Sequence, residues 1–178
     1  MDKKQAFKAG AAAATLMTVF LVALRSARLT SLDFEMMLGS LVTHSFLPSA
    51  WLFGLILHVI LGGIIACAYA AGFEKLAYRD RGKAGLAFGF FHALLSGTMV
   101  MGIIPLVHPF LNGMAQAGFL SAPGPFAVHY GKMTPWIFIM LHLFYGAVVA
   151  RLYKGVSAPL SRVLYETELP LSSQPQAV

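Results

Sequence analysis

The second half of this chain repeats the first. Gly39, His44, Trp51, His58, Gly62, Ala66 and Tyr69 are matched in order by Gly124, His129, Trp136, His142, Gly146, Ala150 and Tyr153. The spacings agree except that Trp136 and His142 stand one residue closer than Trp51 and His58. A weaker echo links Lys8-Ala9-Gly10 to Lys83-Ala84-Gly85. Self-similarity of this kind points to a duplicated unit, which sets equivalent side chains as pairs.

The medium for that duplication follows from polarity. The chain is 58% hydrophobic and 11% charged, with mean hydropathy +0.72. An ordinary soluble domain carries about 25% charged residues. Four apolar segments, about 9–24, 51–73, 84–107 and 135–153, approach the ~20 residues a helix needs to cross a ~30 Å hydrocarbon core. Their Gly and Ala content suits helices in lipid. The expected fold is all-α and polytopic: four transmembrane helices built as two tandem hairpins, residues 8–73 and 83–153. Two crossings per unit make the repeats parallel, related by a pseudo-two-fold axis along the membrane normal. Residues 1–154 then form one transmembrane domain, and 155–178, with Pro159, Pro170 and Pro175, a cytoplasmic tail that is surface-lying or disordered. The first segment has a basic start but an apolar run longer than the usual 7–15 residues of a signal core, so it reads as a retained helix.

Charge supplies an orientation. Lys3, Lys4, Lys8, Lys75, Arg79, Arg81, Lys83, Arg151, Lys154 and Arg162 fall on one side, against Arg25, Arg28 and Lys132 on the other. The positive-inside rule places both termini in the cytoplasm, with the bacterial inner membrane as the expected location. No basic patch with interleaved aromatics is present, so nucleic acid is not an expected partner. The expected partners are the lipid bilayer and other membrane subunits or further copies of the chain. The single Cys67 has no partner for an internal disulfide.

The two outer loops, roughly 25–50 and 108–134, are long for a compact bundle. Residues 34–38 and 113–117 read as short interfacial helices. Trp51 and Trp136 start the second and fourth spans at aromatic-belt positions, and Pro48 and Pro135 fit first helical turns.

Candidate site residues come from the repeat. His58, Gly62, Ala66 and Tyr69 share one helical face, as do His142, Gly146, Ala150 and Tyr153. Small residues beside a His allow close helix packing with an interhelical hydrogen bond. They also leave room for a flat macrocycle with an axial imidazole, as in haem proteins. His58, His142 and, beside the small stripe of the third span, His92 are therefore the candidate cofactor-binding residues, with haem b as the candidate cofactor. His44 and His129, with Met36, Met37, Met114 and Met133 in the same loops, are candidate copper ligands, since imidazole and thioether suit that metal.

The pairs His44/His58 and His129/His142 resemble the histidine spacing of cytochrome b four-helix bundles. The geometry restricts that likeness: fourteen residues return within about 40° of the same face, whereas thirteen miss by about 140°. This leaves one haem or metal between His58 and His142 as the expectation. The string Gly54-Leu-Ile-Leu-His58-x3-Gly62-Gly63-x2-Ala66-x-Ala68-Tyr69, with Gly85-x3-Gly89-x2-His92 and Pro105-Leu-Val-His108-Pro109, resembles a group of small bacterial four-helix membrane proteins. The resemblance covers most of residues 8–154. It implies the fold and a bacterial membrane and carries no activity with it.

Asp33, Glu35, Glu74 and Asp80 all fall in loops or at helix ends, leaving no acid inside a span. Proton-coupled transport or intramembrane hydrolysis calls for such an acid, or for a Ser/His pair. Ser96 follows His92 by four residues with no third group to orient them. The expected function is therefore a non-catalytic membrane subunit or scaffold of a larger complex, holding a pigment, lipid or haem. The alternatives are a haem- or metal-binding electron-transfer protein ligated by His58 and His142, and a carrier or channel using the cavity between the repeats.

Overall fold

The computed structural model describes residues 1–75 and 80–155. The segment 155–178, apart from its first residue, and the basic residues Arg79 and Arg162 lie outside the described residues. The described chain is all-helical. Its elements are α1 (Lys3–Ser26), α2 (Phe34–Thr43), α3 (Pro48–Lys75), α4 (Arg81–Leu95), a π-helical stretch Ser96–Ile103, α5 (Ile104–Val107), α6 (Pro109–Gln116), a 3-10 segment Pro125–Tyr130 and α7 (Thr134–Leu152). Four stretches are long and apolar enough to cross a membrane: Lys3–Ser26, Pro48–Lys75, Arg81–Val107 and Thr134–Leu152.

The spans begin earlier than hydropathy alone indicates because polar caps extend them. The Asp2 carboxylate accepts the Gln5 N–H at 2.9 Å, and Asp80 accepts the Lys83 N–H at 3.1 Å. Each satisfies a donor that the helix leaves unpaired. The third span changes pitch where Pro105 approaches. A proline has no N–H and its ring clashes with the preceding turn. The chain answers with the wide turns of Ser96–Ile103, where the Ile104 N–H reaches back five residues to Met99 O.

Small residues set how the spans meet. α1 packs on α3 with Gly10 and Ala14 against Gly62 and Ala66; a Cβ on Gly10 would lie 2.2 Å from Gly62 O. α4 packs on α7 with Gly85 against Gly146 and Ala150; a Cβ on Gly85 would lie 2.4 Å from Gly146 O. Close backbone approach of this sort drives helix association in lipid, where apolar burial contributes little. The two hairpins join mainly through α1 and α7. Tyr145 is buried at that junction and donates its hydroxyl to Gly62 O, and the Phe20 and Phe144 rings meet edge to face at 5.0 Å.

Both described ends of the chain meet at one end of the bundle. The Met1 amino group pairs with Glu74 at 2.7 Å, and Tyr153 donates its hydroxyl to Glu74. Burial, helped by that neighbouring carboxylate, pushes the Tyr153 phenol up to about 12. Arg81 caps the end of α7 by donating to Tyr153 O at 3.2 Å and Lys154 O at 2.7 Å. At the opposite end the Thr30 and Thr134 hydroxyls bond at 2.8 Å, and Arg25 pairs with Asp33 at 2.7 Å.

The first outer loop departs most from expectation. Its helix α2 is longer than 34–38 and packs into the bundle with Glu35, Met37, Leu38, Gly39 and Ser40 buried. Gly39 and Gly54 make this contact: a Cβ on Gly54 would lie 1.7 Å from Glu35 O, and one on Gly39 1.7 Å from Ala50 O. The second loop instead places Phe126 on Gly97 and Pro125 beside Gly102. Replacing Gly54 by Val should therefore expel α2, costing at least the ~1–3 kcal/mol of an overpacked core. Gly113→Ala, with nothing within 4 Å of the added carbon, should be neutral or mildly stabilising. Thermal unfolding of the two variants in one detergent checks this contrast.

Candidate functional site

Glu35 sits in the first turn of α2, just inside the partly exposed cap residue Asp33. Asp33 caps that end by accepting the Met36 N–H at 3.0 Å. The positive end of the helix dipole favours a carboxyl group in this turn. The side chain is wholly buried. Its Oε1 accepts the Thr18 hydroxyl at 2.6 Å and lies 3.2 Å from His58 Nδ1. His58 Nδ1 also lies 3.1 Å from Thr18 Oγ1, and Phe34 meets the imidazole edge to face with ring centres 4.8 Å apart. Thr18 comes from α1, Glu35 from α2 and His58 from α3, so the contact ties three helices at one point. Glu35 Oε2 has no hydrogen-bond partner.

No span itself carries Glu35, but the short helix expected to lie at the interface buries this acid against two of the spans. Glu35 does lie at a helix end, but its side chain is inside the protein. The signal was the lone carboxylate at the start of an otherwise apolar decapeptide, with Gly39 able to meet Gly54. Thr18 was also legible: Gly10, Ala14 and Thr18 continue one small-residue stripe, which meets Ala66, Gly62 and His58 in antiparallel register.

The second hairpin pairs its histidine differently. His142 is buried, with Nδ1 2.8 Å from Phe138 O, so that nitrogen donates. Its Nε2 then accepts, and Ser96 Oγ lies 2.9 Å away. Ser96 Oγ also lies 2.7 Å from His92 O, so its single proton serves the carbonyl or His142 Nε2, one at a time. The partner here is Ser96, at the start of the π-helical stretch that continues α4. The His92 and His142 rings stand edge to face at 4.7 Å, and His92 Nδ1 has no partner.

These side chains surround one chamber of about 240 Å³ between the hairpins. His58, His92, Ser96 and His142 are its polar wall; Phe34, Leu61, Ile137 and Phe138 belong to its apolar wall. Each of His58 and His142 is tied to its own hairpin and also faces this shared space. A serine bonded to His Nε2, with the other nitrogen held by a carbonyl, is the contact a nucleophile needs. The lining contains no Asn, Gln, Lys or Arg side chain to stabilise an oxyanion.

The outer histidines lie elsewhere. His44 ends α2 in a left-handed conformation and meets His108 and Phe110, ring centres 5.4 and 5.6 Å away. His129 turns into its own loop, Nδ1 2.7 Å from Ala122 O. Among the described residues no three or more His, Cys, Asp or Glu side chains gather in a metal-holding group. Comparison with protein-family models, curated proteins and solved structures gives no match to this chain.

The buried pair yields an ordered set of stabilities. His58→Ala leaves the Glu35 carboxyl uncompensated and should cost about 3–5 kcal/mol, as for other broken buried pairs. Glu35→Gln keeps the shape and one acceptor and should cost less. Thr18→Val removes one hydrogen bond to a charged group, about 1.5–3 kcal/mol. The Glu35→Gln/His58→Ala double variant should fall short of the sum, by the coupling expected of groups in contact. Equilibrium unfolding of the four variants measures each difference.

Proposed function

We propose that the protein is a non-catalytic integral membrane protein that holds a small lipid-soluble molecule in the chamber between its hairpins, within a bacterial cytoplasmic membrane. The observation that carries this reading is the chamber itself: imidazoles from three different spans converge on one apolar space. Ionisable side chains inside a membrane are costly and serve as functional markers. Three imidazoles on one chamber, one of them backed by a buried carboxyl, exceed what tying helices together requires. An interhelical hydrogen bond in lipid contributes only about 0.6–2 kcal/mol.

The hairpins are read as a tandem duplication with an approximate two-fold axis along the membrane normal. The support is that Gly10 on Gly62 and Gly85 on Gly146 are matched contacts at matched repeat positions. The basic end, where the termini meet, is assigned to the cytoplasm by the positive-inside rule.

Haem b or copper held by His58 and His142 is the competing occupant. Both nitrogens of His142 already have partners, Phe138 O and Ser96 Oγ, so an axial bond would displace one of them. At about 240 Å³ the chamber is also smaller than the ~300–1,000 Å³ pockets that enclose drug-sized ligands. It suits a head group or short chain better than a macrocycle.

The test is to purify the full chain in mild detergent and identify what it carries by mass spectrometry. One lipid class should be enriched several-fold over bulk membrane lipid, and Leu141→Trp or Val100→Phe, which fill the chamber, should remove the enrichment. A Soret band lost in His58→Ala and His142→Ala would replace the lipid with haem. Identical lipid content in wild type and both filled variants would leave only a structural role for the histidines.

A further inference from the structure

Resting on that reading, we infer that the chamber is loaded sideways from the bilayer, through a cleft between α3 and α4, and that its ligand is a single-chain lipid with a hydroxyl head. α3 and α4 barely touch, and between them runs a second cavity of about 480 Å³. Its walls include Ala68, Tyr69, Phe88, Phe91 and Leu95. Ile65, His92, Ser96 and Val100 line both this cleft and the chamber, so the two spaces are separated only by shared side chains. From Phe88 to Val100 the cleft follows roughly 18 Å of helix at 1.5 Å per residue. That is more than half of a ~30 Å hydrocarbon core, a length for a lipid tail and not for a compact solute. Phe91 and Leu95, on its rim, are strongly exposed in the direction lipid occupies.

The junction carries the marks of a place where a ligand passes. The π-helical stretch opens at Ser96, and wide turns of this kind are frequent at functional sites. His92 Nδ1 lies at the junction and the Tyr69 hydroxyl along the cleft, both buried and unpartnered. An unpaired buried polar group costs about 1–3 kcal/mol, which a passing or seated head group would recover.

The head chemistry follows from the wall. The Thr18 hydroxyl has a single proton and stands closer to Glu35 Oε1, at 2.6 Å, than to Ala14 O at 3.3 Å. His58 Nδ1 then donates to the pair, lying 3.1 Å from Thr18 Oγ1 and 3.2 Å from Glu35 Oε1, which leaves Nε2 for the chamber. That nitrogen accepts when the ring is neutral and donates when it is charged. A hydroxyl answers both states. A carboxylate head would approach Glu35, a like charge in a medium where repulsion is poorly screened.

The experiment uses the full chain in lipid nanodiscs, photolabelled with a diazirine-tagged long-chain alcohol, with the matching fatty acid as control. Saturable labelling is expected on cleft residues such as Ile65 and Leu95 and on chamber residues such as Leu141. Excess untagged alcohol should reduce it several-fold, and the fatty acid should do so weakly. Ala68→Trp and Leu95→Trp, placed on opposite walls, should each slow chamber labelling at least several-fold, while Leu52→Trp on a distant exposed face should not. Chamber labelling that survives both plugs overturns the lateral route and leaves the chamber reading standing. Competition by fatty acid equal to that by alcohol overturns the head-group assignment. Absence of saturable chamber labelling in wild type overturns both readings. Uniform labelling of exposed positions such as Val19 and Phe53, or a cleft shielded by a second copy or partner helix, overturns the cleft as an access route.

Discussion

A carboxyl group with no exposed surface, Glu35, is the point on which the first hairpin is organised. Removing such a group from water is expensive unless it is paired and hydrogen-bonded. Here Thr18 and His58 supply the partners and the N-terminus of α2 supplies a favourable dipole. The requirement works in both directions. Because Glu35 must reach Thr18 and His58, α2 cannot rest on the surface; because Gly39 and Gly54 carry no Cβ, it can come close enough. The inserted α2 then supplies Leu38 and Leu41 to the outer part of the chamber.

The second hairpin uses the same close-packed glycines without the acid. Gly85 and Gly89 bring α4 against α7, and the 3-10 segment docks Phe126 on Gly97 where the first hairpin has its buried helix. His142 takes Ser96 in place of a carboxyl. The two halves thus offer the chamber different chemistry on matched frames: a carboxyl-backed imidazole on one side, and a serine-bonded imidazole against His92 on the other.

Much of this was legible in the sequence, for definite reasons. The four stretches are long, continuous and apolar enough to cross a membrane, and a chain that does so must satisfy its backbone groups within each helix. The Gly–Ala stripes are read directly from i, i+4 spacing, and they did predict which faces of α3 and α7 meet other helices. Three features were not legible. Glu35 was read on a short interfacial helix of the outer loop, and only a tertiary contact draws that helix inward. Ser96 was read only against His92, four residues back on its own helix, whereas its hydroxyl also reaches across to His142; one-helix geometry cannot show the neighbouring helix. The cleft depends on α3 and α4 not packing, and both sequences are as apolar as the pairs that do pack. His44 illustrates the same limit, since its ring neighbours His108 and Phe110 come from another loop.

The most direct measurement of the central claim is ¹⁵N NMR of histidine-labelled protein in lipid bilayers. The account predicts an imidazole whose Nδ1 is protonated and bonded to a carboxyl, assigned to His58 by its loss in His58→Gln, and strongly displaced by Glu35→Gln. The His142 signals should report an Nδ1–H tautomer and stay in place in that variant. A His58 signal that behaves as a free, water-exposed ring and ignores Glu35→Gln would contradict it, and with it the buried helix that shapes the chamber.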